Sequence, residues 1–214
     1  MKHLRFVGVL TFPIVLALLS GLSFSQEKAT VLTPENANEA RLNRLQPPEQ
    51  VMDAMGIEPG MTVAEIGAGH GRYVVQLATR VGENGMVYAE DIDADVLEHL
   101  KNRCRRWGLN NVEAILGDVT DPKLPAGELD LIFIISTYHH FQDPVGLLKN
   151  ARHSLKKDGT LAIGEWFTST PREKVIEQVQ AAGFRLDRFE AFLEKNNLYL
   201  YIFKLDERTE AVRK

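Results

Sequence analysis

The segment "VAEIGAGHGRYVVQLA", residues 63–78, joins a short apolar run, a glycine-rich loop and a helical pattern with one apolar face. That order is typical of the first strand, loop and helix of an open α/β sheet, where glycines let a ligand approach bare backbone at a helix N-terminus. The candidate ligand-binding residues of this segment are Glu65, Gly67, Ala68, Gly69 and Gly71. A dinucleotide-binding fingerprint requires its third glycine where this chain has Arg72, so the spacing is different.

Strand and helix patterns alternate from Gly60 onward, and "LDLIFII" (129–135) is apolar almost throughout, as in a strand covered by helices on both faces. The sequence therefore predicts a doubly wound, mostly parallel sheet. The runs "FRLDRFEAFL" (184–193) and "LYLYIFKL" (198–205) predict a closing antiparallel hairpin. The expected strands lie near 61–66, 86–91, 111–116, 129–135 and 159–165. The expected helices lie near 47–56, 71–81, 93–106, 144–156 and 171–182.

Composition limits the classes of function. The chain has 214 residues and a formal net charge of -4, which does not favour the non-specific binding of nucleic acid. Cys104 is the single cysteine, so neither an intramolecular disulfide nor a cysteine-based metal site is expected. His139 and His140 are adjacent and do not readily wrap one ion, so we expect no metal centre.

The N-terminus has the pattern of an export signal. Lys2, His3 and Arg5 precede an uncharged stretch over 6–26, and small residues precede Gln26. We expect residues 1–25 to be a signal peptide cleaved after Ser25, or an uncleaved membrane anchor, and the protein to be exported. Residues 26–46 are expected to form a polar, partly helical segment, and residues 47–214 the main domain.

Carboxylates follow the second and third predicted strands. Asp91 stands at the end of "MVYAED", at the distance from the glycine loop where a ribose needs an acceptor for its hydroxyls. Asp118, in "GDVTD", is placed to accept from an exocyclic amine such as that of adenine, with the N–H of Val119 donating to a ring nitrogen. Taken singly, each acid is more typical of a helix cap or a turn, but three acids at three successive strand ends, Glu65, Asp91 and Asp118, favour a ligand site.

With these motifs in order, the sequence resembles the class I S-adenosylmethionine (SAM) dependent methyltransferases over residues 47–204. "VAEIGAGHG" resembles the first family motif, "VYAEDID" the ribose-binding acid, and "GDVTD" the adenine-binding motif. The resemblance implies a seven-stranded sheet in the order 3-2-1-4-5-7-6, with strand 7 antiparallel. It also implies SAM as the cofactor. Its methionine part would contact Glu65 and residues 67–71, its ribose Asp91 and Ile92, and its adenine Asp118 and Val119.

Candidate catalytic residues lie in "STYHHFQDP", after the fourth strand. Methyl transfer is an in-line displacement, so the protein supplies mainly alignment, and a base only where the nucleophile arrives protonated. His139 or His140 would be that base, and Tyr138 would orient the substrate or the sulfonium. Alternatively, one histidine caps the next helix or packs beneath the site. Glu165 and Trp166 are candidates for the acceptor pocket.

The acceptor is expected to be a small molecule. Methyltransferases of exocyclic and amide nitrogens have an Asp/Asn/Ser-Pro-Pro-aromatic motif, and residues 136–139 of this chain lack both prolines. Arg41, Arg44 and Arg172 would meet an anionic acceptor or belong to helix surfaces. The basic residues of "KNRCRRWG" (101–108) are expected to form a solvated helix face rather than a nucleic-acid patch.

Two other classes of function stay open. One is an exported, non-catalytic module that binds SAM or another nucleoside-like ligand in the same pocket. The other is a nicotinamide-dependent oxidoreductase, which Arg72 and the C-terminal hairpin both disfavour. The sequence does not specify an oligomeric state.

Overall fold

The computed structural model describes residues 32–166, 168–193 and 198–206. The expected leader, residues 1–25, lies outside the described residues. The elements are α1 (Ala37–Leu45), α2 (Pro48–Met55), β1 (Thr62–Ile66), α3 (Val74–Val81), β2 (Met86–Asp91), α4 (Ala94–Arg106), β3 (Val112–Leu116), β4 (Leu129–Ile135), α5 (Pro144–Ala151), β5 (Leu155–Trp166), α6 (Arg172–Ala181), β6 (Phe184–Leu193) and β7 (Leu198–Leu205). Among the described residues, no helix is both long and apolar enough to cross a membrane.

The seven strands form one sheet in the order β3-β2-β1-β4-β5-β7-β6. Strands β1 to β5 pair in parallel, and β7 runs antiparallel to both of its neighbours. This order confirms the expected α/β fold and its closing hairpin. Because the strand order reverses between β1 and β4, the crevice beyond their carboxyl ends is where a ligand is expected to bind.

The sheet is buried on both faces, as the apolar run of β4 predicts. Leu131 and Phe133 belong to the core cluster that contains residues of α2 and α3. The alternating residues Ile132 and Ile134 belong to a second cluster, with residues of α5 and α6. Both faces of β4 are therefore covered, which fixes the register of the strand and so the position of the loop that follows it.

Two helix boundaries differ from the expected ones. The helix after the glycine loop begins at Val74 instead of residue 71, because Gly69 and Gly71 have φ of +53° and +80°, outside the helical range. Helix α5 ends at Ala151 and is followed by a 3-10 turn over residues 152–154. Strand β5 then begins at Leu155, four residues earlier than expected, because Leu155 pairs with Leu129 of β4.

The helix ends follow ordinary capping chemistry. Asn36 accepts a hydrogen bond from the amide of Glu39 (2.9 Å) and begins α1 within the expected polar segment. Asp143 caps α5 by accepting from the amide of Gly146 (2.8 Å). The cap of α5 is thus an aspartate, and neither His139 nor His140 has that structural role.

Candidate active site

The glycine loop after β1 is held by the end of β2. The amides of Gly67 and Ala68 donate to the carbonyl oxygen of Glu90 (2.9 and 2.8 Å), and the amide of Gly69 donates to Asp91 Oδ2 (2.9 Å). A Cβ at Gly67, whose φ is +75°, would overlap the side chain of Thr137. The loop is therefore closed between β2 and the residues that follow β4, and only glycine suits its first position.

Two clefts meet at this loop, and Gly67, Gly69 and Ser136 line both of them. The first, which we call the β2 cleft, has a volume of about 420 Å³. The second, which we call the α1 cleft, has a volume of about 400 Å³. The β2 cleft is lined by Glu90, Asp91, Ile92, Asp118, Val119 and His140. The α1 cleft is lined by Glu39, Glu65, Ala68, Arg72, Tyr73 and Arg103.

The β2 cleft brings together four residues that the sequence assigned to one ligand. The Asp91 carboxylate accepts one backbone N–H at each oxygen, from Gly69 and from Asp93 (3.1 Å), and each oxygen keeps a lone pair for a further donor. Ile92 and Val119 are 57% and 40% exposed and give the cleft apolar walls. Asp118 also lines the cleft, but its side chain is 68% exposed and forms an ion pair with Lys123 (2.8 Å).

Glu65 is buried in the wall of the α1 cleft. Its residue is 3% exposed, and its Oε2 has no hydrogen-bond partner among the described residues. Burial raises the pKa of Glu65 to about 8, and the positive charge of Arg72 opposes part of that rise. A buried carboxyl group with an unpartnered oxygen beside a ligand cleft is suited to receive a cationic donor.

Gly71 has a different place from the one expected. It lines neither cleft, and a Cβ there would lie 3.0 Å from Leu100 Cγ, so this glycine allows the loop to pack closely on α4. Its amide donates to the carbonyl of Ala68 (3.0 Å), which closes the turn before α3. Gly71 therefore shapes the loop and does not contact the clefts.

Behind the lining of the α1 cleft lies a polar junction that sequence reasoning missed. Gln46, which is 0% exposed, donates to Ser136 Oγ (2.7 Å) and accepts from Arg72 Nη2 (2.5 Å). The backbone carbonyl of Gln46 accepts from the hydroxyl of Tyr73 (3.1 Å). Arg72 Nη1 donates to Asn43 Oδ1 (3.1 Å). Ser136 has φ +54°, an unusual conformation for a residue other than glycine, and such strain often marks functional sites.

Arg103 corrects the expectation that the basic residues of α4 form a solvated face. It is 0% exposed, and its guanidinium donates to Glu39 Oε1 (2.6 Å) and to the carbonyl of His70 (3.2 Å). Glu35 lies 3.8 Å from the same guanidinium and pairs with Arg106. The signal in the sequence was helical spacing, because position 103 falls on the face defined by the buried residues Leu97, Leu100 and Cys104.

Tyr138 also differs from its expected role. It is 2% exposed, belongs to the core cluster beneath the sheet, and donates its hydroxyl to Gln178 Oε1 (3.1 Å). Burial raises the pKa of its hydroxyl well above the ordinary value. Because its polar atom points into the contact with α6, Tyr138 does not reach a substrate or a sulfonium in either cleft.

The two histidines have distinct surroundings. His140 lines the β2 cleft, and its ring lies 4.0 Å from that of His139, centroid to centroid. His139 lies just outside the lining of the clefts, with its Nδ1 3.0 Å from Glu165 Oε1 and its backbone amide donating to Glu165 Oε2 (3.0 Å). Glu165 is 1% exposed and also accepts from the amide of Trp166 (2.7 Å). The described residues include no group of three metal-ligating side chains that could hold an ion.

The arginines considered for an anionic acceptor do not converge. Arg172 stacks on the ring of Phe189 at 4.0 Å, on the C-terminal hairpin. Arg41 and Arg44 lie on α1, and Arg41 bonds to Asn38 (3.3 Å) on its own helix. Two arginines, Arg72 and Arg103, line the α1 cleft together with Glu65, and the sequence had marked Arg72 only as a departure from a fingerprint.

The sheet order, the glycine loop and the acid at the end of β2 together define a class I SAM-dependent methyltransferase domain. The family model described as "Methyltransferase domain" matches residues 57–204, and the chain belongs to this family. A solved SAM-dependent methyltransferase from Aquifex aeolicus superposes with a TM-score of 0.70 at 26% identity, and covers 80% of this chain and 98% of that one.

Curated relatives match a shorter part of the chain. The nocamycin O-methyltransferase of Saccharothrix syringae is 27% identical over 114 residues, which are 53% of this chain and 41% of the relative. The aklanonic acid methyltransferase of Streptomyces sp. (strain C5) is 29% identical over 103 residues, 48% of this chain and 47% of the relative. The chain thus spans less than half the length of these two relatives.

The residues of the two clefts suit SAM, the cofactor of this family. The unpartnered, buried oxygen of Glu65 matches an ammonium group, and Gly67 and Gly69 present backbone to both clefts. Asp91 has free lone pairs for a pair of hydroxyls, and Ile92 and Val119 suit the faces of a flat base. One molecule bound across Gly67 would place its two ends in the two clefts.

Proposed function

We propose that the protein transfers the methyl group of SAM to a small-molecule acceptor. The observation that supports this most strongly is the junction of the two clefts at Gly67 and Ser136, with Asp91 on one side and the unpartnered Glu65 on the other. When bound, the cofactor supplies a methyl group on a positively charged sulfur, which a nucleophile can displace. The chain contributes binding, alignment and the exclusion of water.

Each part of the cofactor would have its own residues in this proposal. The ribose hydroxyls would donate to Asp91, and the adenine would lie between Ile92 and Val119. The exocyclic amine would donate to Asp118, and the amide of Val119 would donate to the ring. At the other end, the ammonium would donate to Glu65, with residues 67–69 presenting backbone.

A small-molecule acceptor is supported by the relatives, whose printed names give nocamycin and aklanonic acid. The net charge of -4 gives no support to a nucleic-acid acceptor. The buried position of Arg103 removes it from any basic surface on α4. The acceptor would enter beside the place where the two clefts meet.

Titration calorimetry of the full chain with SAM and with its demethylated product tests the cofactor. We expect micromolar binding of both compounds. Asp91→Ala is expected to lower the affinity for SAM by about thirtyfold, since a carboxylate bonded to two hydroxyls contributes about 2 kcal/mol to binding. The matched control is Asp93→Ala, which removes the N-cap of α4. It is expected to lower stability by about 1 kcal/mol and to leave the affinity for SAM unchanged.

Transfer of labelled methyl from SAM into a library of small molecules then tests the reaction. A folded chain that does not bind SAM would overturn the proposal. A chain that binds SAM and methylates no acceptor would favour the non-catalytic binding module instead.

We also propose that residues 1–25 export the protein or anchor it in the membrane, on the basis of their charge and hydropathy pattern. The test is fractionation of cells that express the full chain, with mass spectrometry of the mature N-terminus. A new terminus at Gln26 in the extracytoplasmic fraction indicates cleavage, and an intact terminus in the membrane fraction indicates an anchor. Intact protein confined to the cytoplasm would contradict both.

A further inference from the structure

We infer that His139 is a general base, that Glu165 positions it, and that the acceptor therefore carries a hydroxyl group. The inference rests on the proposed function and specifies its substrate class. The observation that carries it is the contact of one imidazole nitrogen, one backbone amide and a buried carboxylate at the carboxyl ends of β4 and β5.

Backbone amides hold the Glu165 carboxylate in place independently of the imidazole. Glu165 is 1% exposed, and two backbone amides, of His139 and Trp166, donate to its two oxygens (3.0 and 2.7 Å). Both oxygens therefore act as acceptors. The Nδ1 of His139 lies 3.0 and 3.1 Å from them and is the donor in this contact.

This arrangement fixes the tautomer of the ring. With the proton on Nδ1, the Nε2 of His139 carries a lone pair and can accept a proton from another molecule. The side chain is 25% exposed, so the ring is not enclosed as a core residue would be. The ring lies 4.0 Å from that of His140, centroid to centroid, and His140 lines the β2 cleft.

The groups around the pair leave Glu165 as the charge nearest to the ring. Tyr138 and Tyr201 both interact electrostatically with Glu165. Burial raises the pKa of both hydroxyls, that of Tyr201 to about 12. Both tyrosines are therefore neutral near pH 7. His140 packs against the ring itself. Arg172 acts on Tyr201 and stacks on the hairpin. A proton gained at Nε2 would thus be stabilised by a fixed negative charge.

The hydroxyl proton of the acceptor moves to His139 Nε2 while the hydroxyl oxygen forms a bond to the methyl carbon. Bound SAM would supply the methyl group, its carbon–sulfur bond would break, and the electron pair of that bond would stay on the sulfur, which would become neutral. His139 is left as an imidazolium beside the Glu165 carboxylate and returns its proton to water.

A hydroxyl gains more from this base than a thiol does. A thiol ionises near pH 8.5 and supplies its own anion in mildly alkaline solution, whereas a phenol ionises near pH 10 and an alcohol far above that. General base catalysis typically contributes about 10²- to 10⁴-fold to such a step. An oriented imidazole is thus expected where the nucleophile is an oxygen that arrives protonated.

Matched acceptors test the inference. The probes are 4-methylphenol and 4-methylbenzenethiol, given to the full chain with labelled SAM at pH 8. His139→Gln is expected to lower methylation of the phenol by about a hundredfold or more and of the thiol by less than fivefold. Glu165→Gln is expected to lower the phenol rate by about tenfold, with the same selectivity. The exposed residues His153 and Glu177 provide the controls His153→Gln and Glu177→Gln, which leave both rates unchanged.

The pH profile separates a base from a structural residue. A general base makes the wild-type phenol rate depend on pH, and His139→Gln is expected to lose that dependence. If His139→Gln methylates the phenol at the wild-type rate, or loses both acceptors equally while it still binds SAM, the inference is wrong. If Glu165→Gln does not fold, the His139→Gln variant carries this test alone.

A second measurement requires no acceptor. The ¹⁵N shifts of the His139 ring in the labelled full chain report its tautomer, and we expect Nδ1–H at pH 8 in the wild type and a mixture in Glu165→Gln. A wild-type ring protonated on Nε2 overturns the inference even if neither probe is methylated. Calorimetry on the same samples reports SAM binding, and its failure in the wild type counts against the proposed function, not against the His139–Glu165 pair.

Discussion

The two clefts that meet at Gly67 are built in opposite ways. The β2 cleft is formed by the ends of adjacent strands, and its main contacts join backbone amides to the end of β2, as between Gly69 and Asp91. The α1 cleft is formed by side chains from segments far apart in the chain, as between Glu39 and Arg103, sixty-four residues away. The β2 cleft therefore depends on a sheet that forms anyway, whereas the α1 cleft depends on α1 being held in place.

Removal of the Arg103 side chain is expected to have the largest effect, a loss of stability at the α1 cleft. Arg103→Met leaves Glu39 buried without its partner, and breaking a buried ion pair costs about 3–5 kcal/mol. Urea unfolding of the full chain measures this loss. The matched control is Arg105→Met, because Arg105 is 69% exposed and its loss is expected to cost less than about 0.5 kcal/mol. Equal losses in the two variants would mean that α1 is not held by this ion pair.

A methyl group at Gly67 is expected to damage both clefts at once. Gly67→Ala must relieve the overlap with Thr137 and adopt a positive φ, which together cost about 2–4 kcal/mol in stability or in SAM affinity. Thermal unfolding and calorimetry with SAM measure the two parts. Gly69→Ala is the control, since its φ of +53° brings strain but no atom lies within 4 Å, so about 1 kcal/mol is expected. A Gly67→Ala chain that is as stable and binds as tightly as Gly69→Ala would show that the loop is not wedged against Thr137.

The buried acid of the α1 cleft gives a pH test. Burial raises the folded pKa of Glu65 to about 8 from an ordinary 4.5, so the folded chain keeps a proton that the unfolded chain has lost between these values. The contribution to stability is full below about pH 4.5 and decreases as the pH rises toward 8. Glu65→Gln removes it.

Between pH 5 and pH 8, wild-type protein is expected to lose about 3–4 kcal/mol more unfolding free energy than Glu65→Gln. The exposed Glu58 provides the control Glu58→Gln, which keeps the wild-type slope. A slope in Glu65→Gln identical to the wild-type slope would place the buried titration elsewhere, for example at Glu90, whose pKa burial also raises to about 8.

The smallest effect is expected at the far end of the β2 cleft. Asp118 is 68% exposed and already paired with Lys123. Asp118→Ala is therefore expected to lower the affinity for SAM by only about twofold to threefold, or about 0.5 kcal/mol. Lys123→Ala frees the same carboxylate and is expected to keep or slightly increase the affinity. Calorimetry on both variants checks this, and a tenfold loss in Asp118→Ala would make Asp118 an anchor of the ligand equal to Asp91.

Sequence reasoning predicted the β2 cleft better than the α1 cleft, and the physical reason is locality. The glycine spacing and an acid at the end of β2 are patterns within single strand–loop units, and the sheet then brings them together. The strand order followed from the resemblance and from the hairpin pattern, and it is confirmed. Asp91, Ile92, Asp118 and Val119 accordingly line one cleft.

The α1 cleft escaped prediction because its contacts depend on packing that no local pattern specifies. Whether Gln46 reaches Ser136 is decided by where α1 docks, and α1 was expected only as part of a polar segment. Tyr138 shows the same limit, since the 3-10 turn directs its side chain into the core while it leaves the next two residues exposed. Arg103 was foreseeable from helical spacing, but its two acidic partners come from the α1 segment, more than sixty residues earlier in the chain.

The single cysteine of the chain lies next to Arg103 on α4. Cys104 is 5% exposed, and burial raises the pKa of its thiol. Because the thiolate is the reactive form, an alkylating reagent should modify this residue slowly in the native chain and quickly whenever α4 opens. The rate of alkylation of Cys104 thus measures how often α4 opens locally. A lower rate in the presence of SAM would show that a bound ligand holds α4 more firmly over the glycine loop.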